Sequence, residues 1–347
     1  MNKDFLYKML ETPSVSGREY EVQKVVVSHM KNIADDIKTD TIGDVINIIN
    51  PESPFKVLLA AHADEIGLTI SRILDDGRCY VEEVGSITPG VYVAQRVRVI
   101  TKKGIIYGAI AKNRNIFDKK VEDKDLVLDI GVTSKEEAEK LVEIGDVIIH
   151  DADYREINDN ILAARALDDK IGVYTICEAL RRAKERNAKV GVYACCTVGE
   201  ETTKNGANIV ARSVNPTCAI VVDVGSDTVC LPSCGNSNYN KLGGGPILGT
   251  GVTMNVKLEE LVRRCAKNKN IKLQYETITS RSYTDADSIN ISNYGVPTTL
   301  ISIPLRNMHS SAELVNLNDV EDVIELMVEI ILNLNENFNF NPIEEVK

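Results

Sequence analysis

Four short apolar runs, each followed closely by ionisable residues, constrain this chain more than any other feature of its sequence. The runs are residues 57–61, 189–197, 218–222 and 298–303. Their length and continuous apolar character are typical of strands that are buried on both faces of a parallel sheet. Ligands bind at the carboxyl ends of the strands in an open parallel sheet, so the ionisable residues after these runs are expected to converge in one cleft.

The regions between these runs predict an α/β fold with a mixed, mostly parallel sheet flanked by helices. Residues 16–32, 168–186 and 255–267 have helical patterns. The first of these opens at Ser16 and Glu19 in the manner of a capping box. Helices that alternate with buried strands are typical of a layered α/β domain.

The middle of the chain has a different pattern. Residues 68–158 contain shorter alternating segments with turn residues between them, which is typical of hairpins. A chain of 347 residues is also longer than one typical domain. We therefore predict an α/β domain of residues 1–67 plus 159–347 and an inserted, barrel-like β domain of residues 68–158. The Asn-rich segment 333–341 is expected to be frayed.

The ionisable residues near the predicted strand ends and at one helix start are of types that bind metal ions. They are His62, Asp64, Asp168, Glu200, Glu201, Asp223 and His309. Taken singly, each has an ordinary structural explanation; Asp168, for example, is most simply a helix N-cap. Only four histidines occur in the chain, however, and two of them lie beside these carboxylates. His29 and His150 have no such partners and are interpreted as structural.

As a set, these residues have the composition of a two-metal site, with one imidazole and one terminal carboxylate for each ion and one shared carboxylate. Imidazole and carboxylate ligands suit zinc, cobalt or manganese. Two such ions about 3.5–4 Å apart activate water near neutral pH, and a base must then move the proton of that water. Adjacent residues in an extended segment point to opposite sides, so Glu200 and Glu201 are expected to be one base and one ligand.

Four segments of the chain resemble the tetrahedral aminopeptidases, a family that includes glutamyl and deblocking aminopeptidases. These segments are residues 62–67, 166–170, 197–201 and 302–310, with supporting matches at 14–19, 241–246 and 284–286. Their order and spacing match over essentially the whole chain. The resemblance implies a zinc-exopeptidase-like fold and a metal-dependent aminopeptidase that removes N-terminal residues from peptides.

The resemblance also implies a role for each matching position. The metal ligands would be His62, Asp168, Glu201, Asp223 and His309, with Asp168 shared between two divalent ions, zinc or cobalt. Glu200 would be the general base, and Asp64 would orient His62. An unusual peptide bond after Asp168 is implied as well. So is assembly through the inserted β domain into dimers and then a hollow dodecamer.

The chain departs from the family pattern at three places. Residues 111–115 lack the prolines and the histidine that are common there, residues 202–207 are more polar than usual, and Asn307 stands where an aromatic residue is common. Every expected ligand position is filled. The departures therefore bear on substrate preference and assembly.

The overall charge, the N-terminal segment and the cysteines bear on the binding partners and the location of the protein. A formal net charge of -11 without a basic block disfavours nucleic acid and anionic membranes as partners. The charged first 14 residues are not typical of a signal peptide, and no run is long enough to cross a bilayer. Eight cysteines without a C-x-x-C pair indicate reduced thiols. We expect a cytoplasmic protein.

Two other functions are alternatives to the aminopeptidase. A glycoside hydrolase needs two carboxylates across a sugar-binding cleft, and such clefts are rich in aromatic side chains, whereas this chain has no tryptophan and 5% aromatic residues. A non-enzymatic peptide-binding scaffold would have no use for a full set of ligands and a base. Within the peptidase class, a carboxypeptidase or a deacylase could use the same ions.

Overall fold

The computed structural model describes residues 1–111, 121–229 and 239–343. Within these ranges the chain forms an α/β domain, built on a large mixed sheet with helices on both faces, and a separate small closed β barrel. This confirms the predicted fold class. Residues 112–115, which belong to one of the segments that depart from the family pattern, lie outside the described residues.

The helices are distributed along the whole chain. They are α1 (Lys3–Glu11), α2 (Tyr20–Met30), α3 (Lys135–Leu141), α4 (Leu167–Glu185), α5 (Asn205–Val214), α6 (Val256–Lys269), α7 (Asp285–Asn290) and α8 (Leu317–Asn333), with short 3₁₀ turns at Pro89–Tyr92 and Asp123–Asp125. The start of α4 is irregular, because Asp168 and Asp169 have non-helical backbone angles. The peptide bond between them is cis.

The strands follow the same chain order. They are β1 (Asp36–Thr39), β2 (Val45–Ile49), β3 (Lys56–His62), β4 (Gly67–Ile73), β5 (Cys79–Val84), β6 (Arg96–Thr101), β7 (Gly104–Ile110), β8 (Val127–Asp129), β9 (Val147–His150), β10 (Arg155–Asn158), β11 (Ile161–Ala164), β12 (Gly191–Thr197), β13 (Cys218–Ser226), β14 (Ile247–Gly251), β15 (Gln274–Ile278), β16 (Thr298–Arg306) and β17 (Glu313–Asn316).

Among the described residues, the large sheet has eleven strands. Nine follow the order β1-β2-β12-β3-β13-β16-β17-β11-β10, while β14 pairs with β16 and β15 pairs with β14. The four central strands β12, β3, β13 and β16 are parallel, and they coincide with the four apolar runs of the sequence. The strands outside this centre join it through antiparallel pairs. The parallel character that the sequence predicts is therefore concentrated at the centre of the sheet.

Helices cover both faces of the central strands. Alternate residues of β3 face opposite layers, as the period of a strand requires. Leu59 and Ala61 pack in the core with α1, α2, α4, α6 and α8, whereas Leu58 and Ala60 pack in the core with α5 and α7. Because β3 is buried on both faces, its carboxyl end is held firmly in place. His62 is the last residue of this strand.

The barrel is closed by six antiparallel strands in the order β4-β5-β8-β7-β6-β9. It has its own apolar core, which includes Leu68, Val99 and Leu128. The barrel strands span residues 67–150, and β10 already pairs with β11 in the large sheet. The residue boundaries of the two domains remain a prediction.

The predicted capping box at the start of the second helix is wrong. The N-cap of α2 is Glu19, and it makes no side-chain capping bond. Instead, Ser16 donates its hydroxyl to Asp64, and the Glu19 carboxylate accepts the amide hydrogens of Gly17 and Gly199 at 2.9 and 3.1 Å. Contacts with the distant site loop thus replace a local cap.

The expectation of a frayed end is also wrong for part of residues 333–341. Phe338 and Phe340 pack against the main core. The ring of Phe340 lies 6.1 Å from the ring of Phe55, centroid to centroid, and Asn255 donates to the carbonyl oxygen of Phe340 at 3.0 Å. Two aromatic side chains are enough to hold this otherwise polar segment against the domain.

Two further features concern the described part of the chain as a whole. None of its helices combines the length and the apolar character that crossing a membrane requires. Its six cysteines are all buried and carry free thiols.

A buried ionic cluster connects the N-terminal segment to the start of α4. Glu65 forms ion pairs with Arg165 and with Lys170, the latter at 2.9 Å, and it accepts hydrogen bonds from Ser14. Burial alone would raise the pKa of Glu65, but the two cations outweigh burial and lower it to about 2. Burial lowers the pKa of Lys170 to about 8. The single negative charge of Glu65 stabilises both cations in an interior that would otherwise exclude them.

We predict that Glu65→Gln lowers the free energy of unfolding by about 3–5 kcal/mol, because it leaves two buried cations without a counter-charge. Urea denaturation followed by circular dichroism measures this difference. Asp76→Asn is the control, since Asp76 pairs with Arg78 at the exposed surface and surface pairs contribute little. Equal stability of Glu65→Gln and the wild type would contradict the prediction.

Candidate metal centre

The carboxyl ends of the parallel strands lie level with one another. In the register of the sheet, His62 at the end of β3 pairs with Thr197 at the end of β12, and Asp223 on β13 pairs with Ser302 on β16. The residues after these strands therefore border one cleft with a volume of about 460 Å³. The cleft is lined by all the predicted metal ligands, namely His62, Asp168, Glu201, Asp223 and His309, and by Glu200.

His62 is buried and points one ring nitrogen at the cleft. Its Nε2 lies 3.1 Å from Oδ1 of Asp168 and 3.9 Å from Oε2 of Glu200. Its Nδ1 lies 3.1 Å from the carbonyl oxygen of Asp64 and 3.3 Å from Oδ1 of the same residue. Both of these oxygens are acceptors, so Nδ1 is a donor toward Asp64, and Nε2 is the nitrogen that faces the carboxylates of the cleft.

Asp64 also holds the loop that follows β12. Its carboxylate accepts the amide hydrogens of Glu200 at 3.0 Å and Glu201 at 3.2 Å, in addition to the hydroxyl of Ser16. One buried carboxylate thus fixes the imidazole of His62 and the backbone of both glutamates.

Asp168 reaches both imidazoles of the cleft. Its Oδ2 lies 3.3 Å from Nε2 of His309, which in turn is 3.4 Å from Oε1 of Glu201. Nδ1 of His309 is 2.6 Å from the carbonyl oxygen of Ser86, to which it donates. Asp168 is therefore the carboxylate placed between the two histidines, with one oxygen toward each.

Asp223 meets His62 on the other side of the cluster. One ligand atom each from His62, Asp169 and Asp223 lies within 4.8 Å of the others, and the same is true of His62, Asp168 and Glu201. Asp169 was not singled out from the sequence. It directly follows Asp168, and a second carboxylate at a helix start looks like an ordinary N-terminal acid.

The two glutamates lie in a turn and not in an extended segment. The amide hydrogens of Thr203 and Lys204 both bond to the carbonyl oxygen of Gly199, at 2.9 and 2.7 Å, and Gly199 has a φ of 68°. Glu200 and Glu201 therefore do not alternate as adjacent residues of an extended strand would. Both side chains line the same cleft, with Glu200 near His62 and Glu201 near His309.

Lys204 is a second residue that the sequence did not reveal. Its ammonium group forms an ion pair with Glu200 and donates to the carbonyl oxygen of Tyr283 at 2.9 Å. It belongs to the unusually polar segment 202–207. A lysine four residues after a glutamate is common on solvated surfaces, so its spacing alone carried no signal.

Glu313 is a third. It is buried on β17 and accepts the amide hydrogen of Asp168 at 3.1 Å with one oxygen and that of His309 at 2.8 Å with the other. The only sign in the sequence is an acid at a position where β17 packs inward. Glu313 links the backbones of two predicted ligands.

The electrostatics of the cluster indicate a missing positive charge. Burial and the charge of Asp168 raise the pKa of Glu201 to about 7, and burial raises the pKa of Asp223 well above its usual range. Burial opposes the charged form of His309, but the carboxylates of Asp168 and Glu201 outweigh burial and raise its pKa to about 11. A cation among these carboxylates would take over the role of the bound protons.

Two oxygen atoms support the same interpretation. Oε1 of Glu201 and Oδ2 of Asp169 are buried and accept no hydrogen bond among the described residues. Buried polar atoms without partners are uncommon in native proteins. Together with imidazole nitrogens, these oxygens form a donor set that suits a zinc, cobalt or manganese ion.

Comparison with known proteins identifies the family. The M42 glutamyl aminopeptidase family matches residues 43–326 of the chain. The chain belongs to this family. The resemblance of the sequence motifs to the tetrahedral aminopeptidases is thereby confirmed.

Individual M42 relatives match over nearly their whole length. The lysyl aminopeptidase of Pyrococcus furiosus is 32% identical, and the alignment covers 98% of this chain and 99% of that protein. The crystal structure of a TET aminopeptidase from a marine sediment archaeon, Thaumarchaeota archaeon SCGC AB-539-E09, has a TM-score of 0.90 at 32% identity, with 96% and 97% of the two chains covered.

A third relative concerns assembly. The TET1 peptidase of Pyrococcus horikoshii, which can assemble into a tetrahedron or a large octahedral shell, has a TM-score of 0.85 at 30% identity, with 96% and 99% of the two chains covered. Family membership and these aminopeptidase relatives establish that the M42 chain described here is an enzyme, a hydrolase that acts on peptides.

We predict that Glu313→Ala weakens the binding of divalent metal to the M42 chain by roughly ten- to a hundredfold, because groups that orient the ligands tune the affinity of a site. Competition with a fluorescent chelator measures the affinity. Glu313→Gln keeps one acceptor oxygen and should lie between Glu313→Ala and the wild type. An unchanged affinity in Glu313→Ala would show that Glu313 does not position Asp168 and His309.

Proposed function

We propose that this protein is an aminopeptidase with two divalent metal ions, zinc or cobalt, or else manganese, in the cleft. The observation that carries the proposal is that side chains from separate parts of the chain converge in one cluster. The cluster contains two imidazoles, of His62 and His309, and four carboxylates, of Asp168, Asp169, Glu201 and Asp223. His62 and Asp223 would be the terminal ligands of one ion, and Glu201 and His309 those of the other. Asp168 would be shared between them.

The bound ions would supply Lewis-acid polarisation of the scissile carbonyl and activation of water near neutral pH. The residues of the chain supply the rest. Glu200 would accept the proton of the attacking water and pass it to the departing nitrogen. Lys204 holds the Glu200 carboxylate from one side, and Asp64 holds its backbone amide, so the base is fixed beside His62.

A homo-oligomeric assembly is part of the proposal. The Pyrococcus horikoshii relative forms closed shells, and this chain has the same fold over nearly its full length. We propose that copies of the chain assemble through the barrel into dimers and then a dodecamer, which would limit the substrates to unfolded peptides. The cytoplasmic location inferred from the sequence remains a prediction.

The alternatives receive less support. Glycoside hydrolysis would require a platform for sugar rings, but Tyr283 is the one aromatic residue that lines the cleft among the described residues. A scaffold would have no need for buried carboxylates whose pKa values are displaced. A deacylase remains distinguishable by experiment, because it would cleave N-acylated substrates and an aminopeptidase requires a free amine.

We expect the purified protein to bind two equivalents of zinc or cobalt per chain and to release the first residue only from peptides with a free amino terminus. Elemental analysis and a panel of free and N-acetylated aminoacyl chromogenic substrates test both points. Removal of metal with a chelator should abolish hydrolysis, and added metal should restore it. Hydrolysis of cellulose oligomers by metal-free protein would contradict the proposal.

We predict that Glu200→Gln leaves the metal content unchanged and lowers kcat by roughly a hundredfold or more, because the amide cannot carry the proton. Metal analysis and steady-state kinetics are measured on the same sample. Glu136→Gln, at an exposed position of α3, is the matched control. Full activity in Glu200→Gln would mean that another group acts as the base.

A further inference from the structure

Glu276 is a carboxylate of the cleft that the proposed chemistry does not use. It lies on β15, where its backbone pairs with Gly249 of β14, and its side chain lines the same cavity as His62 and His309. Within β15, Gln274 and Ile278 on the same face are buried, while Tyr275 and Thr277 on the other face are exposed. The period of the strand therefore directs Glu276 inward and not toward bulk solvent.

The position of Glu276 relative to the ligands follows from the order of the strands. From Asp223 on β13, the sheet continues through β16 and β14 to β15, which is three strand spacings or about 14 Å between backbones. Ser302 on β16 lines the cavity between them. The cavity thus extends sideways from the proposed metal ligands. A long side chain of a residue bound at these ligands could reach Glu276.

Three other carboxylates of the cavity lie close to a cationic or imidazole group. Asp168 and Glu201 face His309, and Glu200 is paired with Lys204. Among the described residues, nothing forms a hydrogen bond or an ion pair with Glu276. Burial alone raises its pKa, with no cation acting against it. A partly buried carboxylate without a counter-charge is costly unless a ligand supplies one.

We infer that this side extension of the cavity receives the side chain of the substrate's first residue, and that Glu276 selects lysine or arginine there. The inference rests on the proposed aminopeptidase function. A cationic side chain would supply the counter-charge that Glu276 lacks, whereas an aspartyl or glutamyl side chain would meet repulsion. Lys204 does not favour acidic residues, because its charge is already engaged by Glu200.

Hydroxyl groups of the same cavity suit the same occupant. The cavity wall includes Ser226, Ser282, Thr284 and Ser302, whose oxygens can accept hydrogen bonds from an ammonium or guanidinium group. An aliphatic first residue would bury these hydroxyls without offering partners in return. Two effects would therefore select a cationic side chain. Glu276 attracts it, and an apolar side chain would leave the hydroxyl groups without hydrogen-bond partners.

The test compares substrates that differ in charge but hardly in shape. The metal-loaded full chain is assayed with arginyl and citrullinyl p-nitroanilides and with lysyl and norleucyl p-nitroanilides. We expect kcat/KM to favour each cationic substrate by roughly ten- to a hundredfold, the range for a hydrogen bond to a charged group. In Glu276→Gln both ratios should fall to near one. In Glu276→Lys, glutamyl p-nitroanilide should become better than lysyl.

A binding measurement separates this inference from the proposed function. Titration calorimetry with free L-arginine and L-citrulline, the corresponding reaction products, should show tighter binding of arginine to the wild type and no difference in Glu276→Gln. Peptide hydrolysis without any preference for cationic residues, or a preference for glutamyl substrates, would overturn the role of Glu276 and leave the aminopeptidase intact. Selective binding of arginine without hydrolysis would overturn the proposed aminopeptidase function, but it would still support a cation-binding pocket at Glu276.

Glu136→Gln serves as the control for the loss of one negative charge far from the cleft, since Glu136 is exposed on α3. It should keep the wild-type ratios for both substrate pairs. A fall in the ratios of this control equal to that in Glu276→Gln would attribute the preference to the net charge of the protein, and the inference would fail.

Discussion

The parallel register of β12, β3, β13 and β16 is the constraint on which the rest of the structure depends. Hydrogen bonds between these strands set His62 level with Thr197 and Asp223 level with Ser302, so side chains that are far apart in sequence share one edge. The strands are buried on both faces and cannot slide without exposing apolar residues. The rigidity of the core therefore becomes the rigidity of the cleft, which is what a site for closely spaced ions requires.

Concentrating carboxylates at this edge is unfavourable unless neighbouring groups hold them in place. Asp64 and Glu313 provide this by accepting backbone amide hydrogens from the predicted ligands and base. Glu65 stabilises the adjacent interior through Arg165 and Lys170. These contacts join the ends of β3 and β12, the start of α4 and the N-terminal segment. The site is thus supported by a buried polar network that leaves the carboxylates of the cluster to face the cleft.

The sequence could predict the elements whose signal is local. The four apolar runs identified the central strands, and the residues that follow them converge in one cleft; their roles as ligands remain a prediction. Long-range contacts carried no local signal: Ser16 and Glu19 looked like a capping box but bind Asp64 and Gly199. Phe338 and Phe340 lie in a polar segment whose packing depends on Phe55. The inward direction of Glu276 required the strand order to be known.

The inserted barrel is connected to the chemistry as well as to the fold. It begins five residues after His62, at the start of β4, and Ser86, in the segment after β5, accepts the Nδ1 proton of His309. A carbonyl oxygen of the barrel region therefore holds Nδ1 of His309 and turns Nε2 toward Asp168 and Glu201. If copies of the chain assemble through the barrel, the position of Ser86 would be fixed by the assembly, and the second imidazole with it.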